Sequence, residues 1–275
     1  MRIALCNEVL AEMPLQRQCE YAAALGYDGL EIAPFTLDAS PEKISTAQAA
    51  KIRATVEASG LVVTGLHWLL VKPDGLSLTD PDAAVRARTL EVMMHLTGLC
   101  AELGGAVLVH GSPQQRQIAP GETREIALAR LRDALAQVAF AAARTGVIYC
   151  IEPLSRKETS LVNTVAEAAE LVRSIDHPNL RTMIDCSAAG RTESESIPAL
   201  IDRWLPTGLI AHFQVNDPNR RGPGQGETKF APIMAALKRH HYAGTIAVEP
   251  FDYVPDGPGV AAFSAGYLRG LLEAP

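Results

Sequence analysis

Eight short apolar runs recur along this chain, each separated from the next by an amphipathic stretch. Strands are expected at 2–9, 28–35, 61–69, 106–112, 147–154, 181–187, 209–217 and 244–251. AVLVH at 106–110 and LIAHF at 209–213 are almost wholly apolar, as suits strands covered on both faces. The stretches between the runs have helical patterning. Gly26, Gly60, Gly104 and Gly146 stand where a left-handed residue would end a helix before the next strand. Eight such units in 275 residues fit an α/β fold of one closed (β/α)8 barrel, a single-domain TIM barrel over 1–275. A doubly wound open sheet would want a glycine-rich phosphate loop after the first strand, and CNEVLAEMP has no glycine. The longest loops are expected after strand three (KPDGLSLTDPD) and strand seven (NDPNRRGPGQGETKF). Both fall on the C-terminal face, where barrel active sites lie.

Four successive runs end in Glu152, Asp185, Gln214 and Glu249, at spacings of 33, 29 and 35 residues. Each spacing is one strand-plus-helix unit, so the barrel brings all four to one point. Any one of them alone could be a helix cap or an ion-pair partner. Four together are harder to explain that way, because buried carboxylates repel and raise one another's pKa unless a cation sits among them. Three carboxylates and an amide oxygen are hard ligands that suit one divalent metal, Mn²⁺ or Mg²⁺, with Co²⁺ a further option. Glu152 and Glu249 each precede a proline, which fixes the chain just past the strand. Standing on different sides of the mouth, they could face two sides of a flat substrate and move a proton between them.

His67 and His110 end strands three and four, where each could bind substrate hydroxyls or simply be satisfied by backbone. His212 lies one layer below Gln214 and reads as packed interior. His95, His177, His240 and His241 read as surface residues. Arg220 could clamp a carboxylate or hydroxyls from a Gly/Pro-shaped loop, or be a solvated charge. Glu158 has the same two readings, and Trp68 is an apolar wall or rim packing. The net charge of −6 argues against a nucleic-acid partner. Five scattered cysteines without a CxxC pair read as reduced thiols of a cytoplasmic protein. Neither a signal peptide nor a membrane span is expected.

Taken together, these segments resemble the xylose isomerase-like barrel family of sugar isomerases and epimerases. IEPLSRKE is similar to the strand-five motif of the ketose 3-epimerases, and MIDCS, HFQVNDPNRRGPGQGE and VEPF to the motifs of strands six to eight. The resemblance implies a metal held by Glu152, Asp185, Gln214 and Glu249, with Glu152 and Glu249 as proton carriers. It also implies substrate contacts from Glu158 and Arg220, proton transfer through a cis-enediolate, and commonly a homo-oligomer. Two positions depart from the epimerase pattern. Gln214 stands where those enzymes carry histidine, as in hydroxypyruvate isomerases, and Ala188 stands where they carry a substrate-touching histidine. The expected substrate is therefore a small ketose or hydroxy-keto acid, isomerised or epimerised. Inosose- and dehydroshikimate-type dehydratases resemble the same site, and would need an acid at the leaving hydroxyl, for which His67 or His110 could serve. A non-catalytic sugar-binding barrel is a further reading. An endonuclease IV-like enzyme would need three zinc ions and more histidine ligands.

Overall fold

A computed structural model describes residues 1–273 and bears out the barrel. Eight parallel strands close on themselves in chain order, with β1 also paired to β8. They are β1 (Arg2–Cys6), β2 (Gly29–Ile32), β3 (Val62–Leu66), β4 (Val107–His110), β5 (Ile148–Ile151), β6 (Leu180–Asp185), β7 (Ile210–Val215) and β8 (Thr245–Val248). Seven lie inside the runs expected for them, and β6 begins one residue before its run at 181–187; each is shortened where the chain turns off the ladder. Residues 274–275, the end of the expected domain, lie outside the described residues.

The outer layer consists of α1 (Leu15–Ala24), α2 (Thr46–Ala58), α3 (Ala83–Leu103), α4 (Arg124–Thr145), α5 (Val165–Ile175), α6 (Cys186–Thr192), α7 (Ile197–Trp204), α8 (Phe230–Arg239) and α9 (Gly257–Glu273). Gly104 and Gly146 end the two longest helices with φ of 87° and 74°, the left-handed geometry that costs glycine little. None of the described helices is long and apolar enough to cross a membrane.

Side chains alternate in direction along each strand, and the packing records it. Leu5, Leu30, Leu66, Leu108, Ile151, Ile184, Phe213 and Val248 belong to the large core shared with the helices. Val109, Cys150 and Met183 form a separate cluster, as do Ala4, Cys6 and Ala247. These small clusters fill the barrel interior. Gly65 faces inward from β3, where a Cβ would collide with the Val107 carbonyl, so the β3–β4 approach requires glycine. The interior residues set the phase: two positions further along each strand, the next inward side chain reaches the C-terminal mouth.

Loops 67–82 and 216–229 are the longest on that face, as expected. A third and a fourth, 111–123 and 152–164, are laced to each other. Gln117 Nε2 donates to the Glu158 carbonyl at 2.8 Å, and Thr159 Oγ1 to the Arg116 carbonyl at 3.3 Å. The Ser112 hydroxyl accepts from the Leu70 amide at 3.1 Å, tying the third strand's loop to the fourth's. The mouth is thus a connected rim rather than a set of free loops.

Candidate active site

Counting by two from Cys150, Met183, His212 and Ala247 reaches Glu152, Asp185, Gln214 and Glu249 at the mouth. All four are buried, at most 4% exposed. Oxygens of Glu152, Asp185 and Glu249 lie within 4.8 Å of one another, the spacing of ligands around one ion. Gln214 is the ladder partner of Asp185 across β6 and β7.

Each side chain is held so that an oxygen remains free. Asp185 caps α6, its Oδ1 accepting from the Ala188 amide at 2.6 Å, while Oδ2 is buried without a partner. Gln214 Nε2 donates to Glu31 Oε1 at 2.9 Å, while its Oε1 is likewise buried and unpartnered. Glu249 Oε1 lies 2.9 Å from His67 Nδ1. Glu152 rests against Gly111, where a Cβ would collide with its Oε2. Two orphaned buried oxygens beside two more carboxylates form a donor set that fits a hard divalent cation.

The electrostatics agree with that fit. Burial, then the neighbouring Glu249 and Asp185 carboxylates, push Glu152 well above the usual carboxylate range. Burial raises Asp185 to about 7 against the pull of the Ala188 amide. Burial also raises Glu249 to about 8, opposed by His67. In the metal-free protein these groups hold protons that a cation must displace.

His67 and His110, each read as a substrate contact or as a strand-end residue satisfied within the protein, are both engaged by protein groups. His67 is fully buried, and its Nε2 lies 2.9 Å from Glu8 Oε2. With Nδ1 on Glu249, both ring nitrogens are taken by carboxylates and none is left for a substrate hydroxyl. His67 anchors a proton-carrier candidate instead. His110 follows inward-facing Val109 and so points out of the barrel, with Nδ1 2.7 Å from the Tyr149 hydroxyl. Burial lowers its pKa to about 3, so it stays neutral in the layer beneath the helices. His212 is interior, as expected, with Nε2 2.7 Å from Glu31 Oε2, close but off line for a hydrogen bond. His241 is exposed, whereas His177 and His240 are half-buried against Phe140 and Asp202. His95 is half-buried with Nε2 sealed from solvent.

Glu158 and Arg220 stand at the rim. Glu158 is half-buried, and its Oε2 accepts from the Ser155 amide at 3.1 Å. Arg220 is exposed, its guanidinium 5.0 Å above the Phe251 ring. Phe251 stacks on Trp68 at 5.6 Å, and Trp68 meets Phe35 at 5.9 Å. The three rings make an apolar wall, and Trp68 and the Glu152 carboxylate both border the space beside Gly111.

Four contributors escaped the sequence reading. Glu8 and Glu31 supply the anchoring carboxylates just described. Asn216 donates to the Glu249 carbonyl at 2.9 Å and accepts from the Ser187 amide at 2.8 Å, stapling strand ends six and eight. Arg116 is fully buried, with Nη2 donating to the Glu152 carbonyl at 2.6 Å. Burial lowers Arg116 to about 10, and Glu152 and Glu158 oppose that. The strand-end rule applied to β1 would have found Glu8, and a charge inside the run GLEIAP pointed to Glu31. Nothing in the local sequence marks Arg116.

The family described as xylose isomerase-like TIM barrel matches residues 19–271. The chain is 30% identical to the D-psicose 3-epimerase of Agrobacterium fabrum over 245 residues, covering 84% of this chain and 78% of that one. It is 24% identical to the 3-dehydro-D-guloside 4-epimerase of Escherichia coli over 275 residues, covering 98% and 99%. In three dimensions it is similar to a crystal structure of a D-psicose 3-epimerase in the presence of D-fructose. The TM-score is 0.84 at 23% identity, with both chains covered completely, and at that identity the likeness speaks for the fold.

The raised carboxylates give a pH signature. Between pH 6.5 and 8 the folded metal-free protein holds carboxyl protons that the unfolded chain has already lost, so stability falls as pH rises. The loss is roughly 1.4 kcal/mol per pH unit for each such proton. His110, neutral when folded and with an ordinary pKa when unfolded, acts oppositely but only below about pH 6.5. The metal-free protein should therefore melt lower at pH 8 than at pH 6.5, and saturating Mn²⁺ should remove that slope. Calorimetry at the two pH values, with and without Mn²⁺, checks both.

Proposed function

Because the chain belongs to the xylose isomerase-like TIM barrel family, we propose that it is a sugar epimerase working through a divalent metal, with Glu152 and Glu249 as the two proton carriers. The observation that carries this reading is the convergence of Glu152, Asp185 and Glu249 within 4.8 Å, with unpartnered oxygens on Asp185 and Gln214. The curated relatives described above are named as sugar epimerases, which supports the same class. The substrate class is a small ketose or hydroxy-keto acid.

Glu152, Asp185, Gln214 and Glu249 would hold the metal, Mn²⁺ or Mg²⁺ by the hardness of the set. When bound, it would draw on a substrate carbonyl and make the adjacent C–H acidic. The remaining work falls to the chain's own side chains. Glu152 ends β5 and Glu249 ends β8, so the two carboxylates approach a substrate from separate parts of the mouth. One removes the proton from the carbon beside the carbonyl, leaving that carbon planar. The other returns a proton to the opposite face, which inverts the centre. His67 and Glu8 keep the Glu249 carboxylate turned toward the mouth. The Gly111 gap does the same for Glu152. Trp68, Phe251 and Phe35 exclude water and offer a flat apolar face to sugar C–H groups. Glu158 and Arg220 are the proposed hydroxyl contacts at the rim.

A dehydratase would need a proton donor at the leaving hydroxyl. The two histidines suited to that task are engaged elsewhere, His67 by two carboxylates and His110 outside the barrel. Their positions favour return of the proton over loss of water.

Proton NMR in D₂O of the Mn²⁺-loaded enzyme with a panel of ketoses, hydroxypyruvate-type acids and inososes tests the reading (spectra recorded after metal removal). Deuterium should enter the carbon beside the carbonyl, with an epimer as product. Enone formation would assign the chain to dehydration, and metal-dependent silence across the panel would leave a binding role. E152Q and E249Q should each lower turnover by about 10²-fold or more without unfolding the barrel. Near-normal activity in either variant would refute the two-carrier mechanism. R220A should raise KM more than it lowers kcat, since a rim contact binds ground and transition states alike. An unchanged KM would make Arg220 a solvated charge stacked on Phe251.

A further inference from the structure

The least expected feature of the mouth is a carboxylate that reaches it from the far side of the barrel. Glu31 belongs to β2, three strands away from β7 around the ring β2-β1-β8-β7. Its side chain is fully buried inside the barrel, yet its two oxygens meet two residues of β7. Oε1 accepts from Gln214 Nε2 at 2.9 Å, and Oε2 lies 2.7 Å from His212 Nε2. The Cys6 thiol is a weaker third neighbour, 3.8 Å from Oε1.

An ionised carboxylate only accepts hydrogen bonds, whereas an amide presents an acceptor on one side and a donor on the other. Glu31 therefore decides which end of the Gln214 amide turns away from it. With Nε2 on Glu31, Oε1 is left buried and free. A half-turn of the amide would offer two N–H groups to the same point, and N–H groups cannot ligate a cation. Buried carboxylates are costly to maintain, and this one serves a single amide and one imidazole.

We propose that Glu31 is a positioning residue of the cation site, fixing the Gln214 amide with its oxygen toward Glu152, Asp185 and Glu249. The inference rests on the metal reading above and adds what makes Gln214 competent within it. It also explains how an amide can serve where a freely rotating one would present the wrong end half the time.

The test is Mn²⁺ affinity, read by loss of the free-ion EPR signal on titration of the metal-free protein. It needs no substrate. E31M keeps much of the volume but removes the acceptor for Gln214 Nε2, so nothing holds the amide oxygen toward the cation. Its affinity should fall about 10- to 100-fold, the usual cost of losing an outer partner of a ligand. E31Q/Q214E and E31M/Q214E both place a carboxylate on β7, and a carboxylate offers an oxygen whichever way it turns. The two double variants should therefore bind Mn²⁺ alike, whereas a merely structural role for Glu31 would weaken E31M in both backgrounds. Unchanged affinity in E31M, or a loss as large between the two double variants, would overturn the proposal. Failure of both E31M variants to fold would overturn it as well, since the role of Glu31 would then be structural. Wild-type protein that takes up no Mn²⁺ would instead refute the metal reading on which the inference stands.

Discussion

Three carboxylates sealed from solvent within 4.8 Å of one another are a repulsive arrangement that the barrel holds in place. Burial pushes all three toward the protonated state, repulsion within the trio adds to it for Glu152 and Glu249, and a divalent cation would relieve the conflict. The surroundings of the mouth make sense as the means of keeping these groups in position until that happens.

Each of the four side chains proposed as ligands has its own restraint, and no two are alike. Asp185 is held by the N-terminus of α6, Gln214 by a carboxylate from across the barrel, and Glu249 by an imidazole braced on Glu8. Glu152 is held from behind, through its carbonyl on Arg116 and the absence of a side chain at Gly111. Apart from the α6 amide on Asp185, the restraints come from β2 and from the segments just after β1, β3 and β4, while the four side chains end β5 to β8. The second half of the barrel thus supplies the oxygens, and the first half supplies most of what aims them. His67 and Glu31 belong to this aiming half, and both are buried beneath the mouth rather than turned to a substrate.

The barrel was legible because its signal is periodic and repeated. Eight apolar runs and the glycines at 26, 60, 104 and 146 each report a local rule, and the eight together leave little choice of topology. Glu152, Asp185, Gln214 and Glu249 were legible for the same reason, as polar residues at one place in a repeating unit. What the sequence did not carry is direction. His110 ends a strand as Glu152 nearly does, yet one residue of phase turns it out toward the helices and Tyr149. His67 has the right phase, but the carboxylates that occupy it come from sites 59 and 182 residues away in the chain. Arg116 was hidden altogether, since burial of a loop arginine depends on the rim around it.

The central claim is that Glu152, Asp185, Gln214 and Glu249 hold one cation. A crystal of the Mn²⁺-loaded protein, measured for anomalous scattering, addresses it most directly. The account predicts one strong peak at roughly 2.0–2.3 Å from an oxygen of each of the four side chains, the range of hard divalent ions. Cys6, Glu8, His67 and Glu249 form the other cluster of potential ligands among the described residues. A peak there instead, or no peak at the four strand ends under saturating Mn²⁺, would contradict the account.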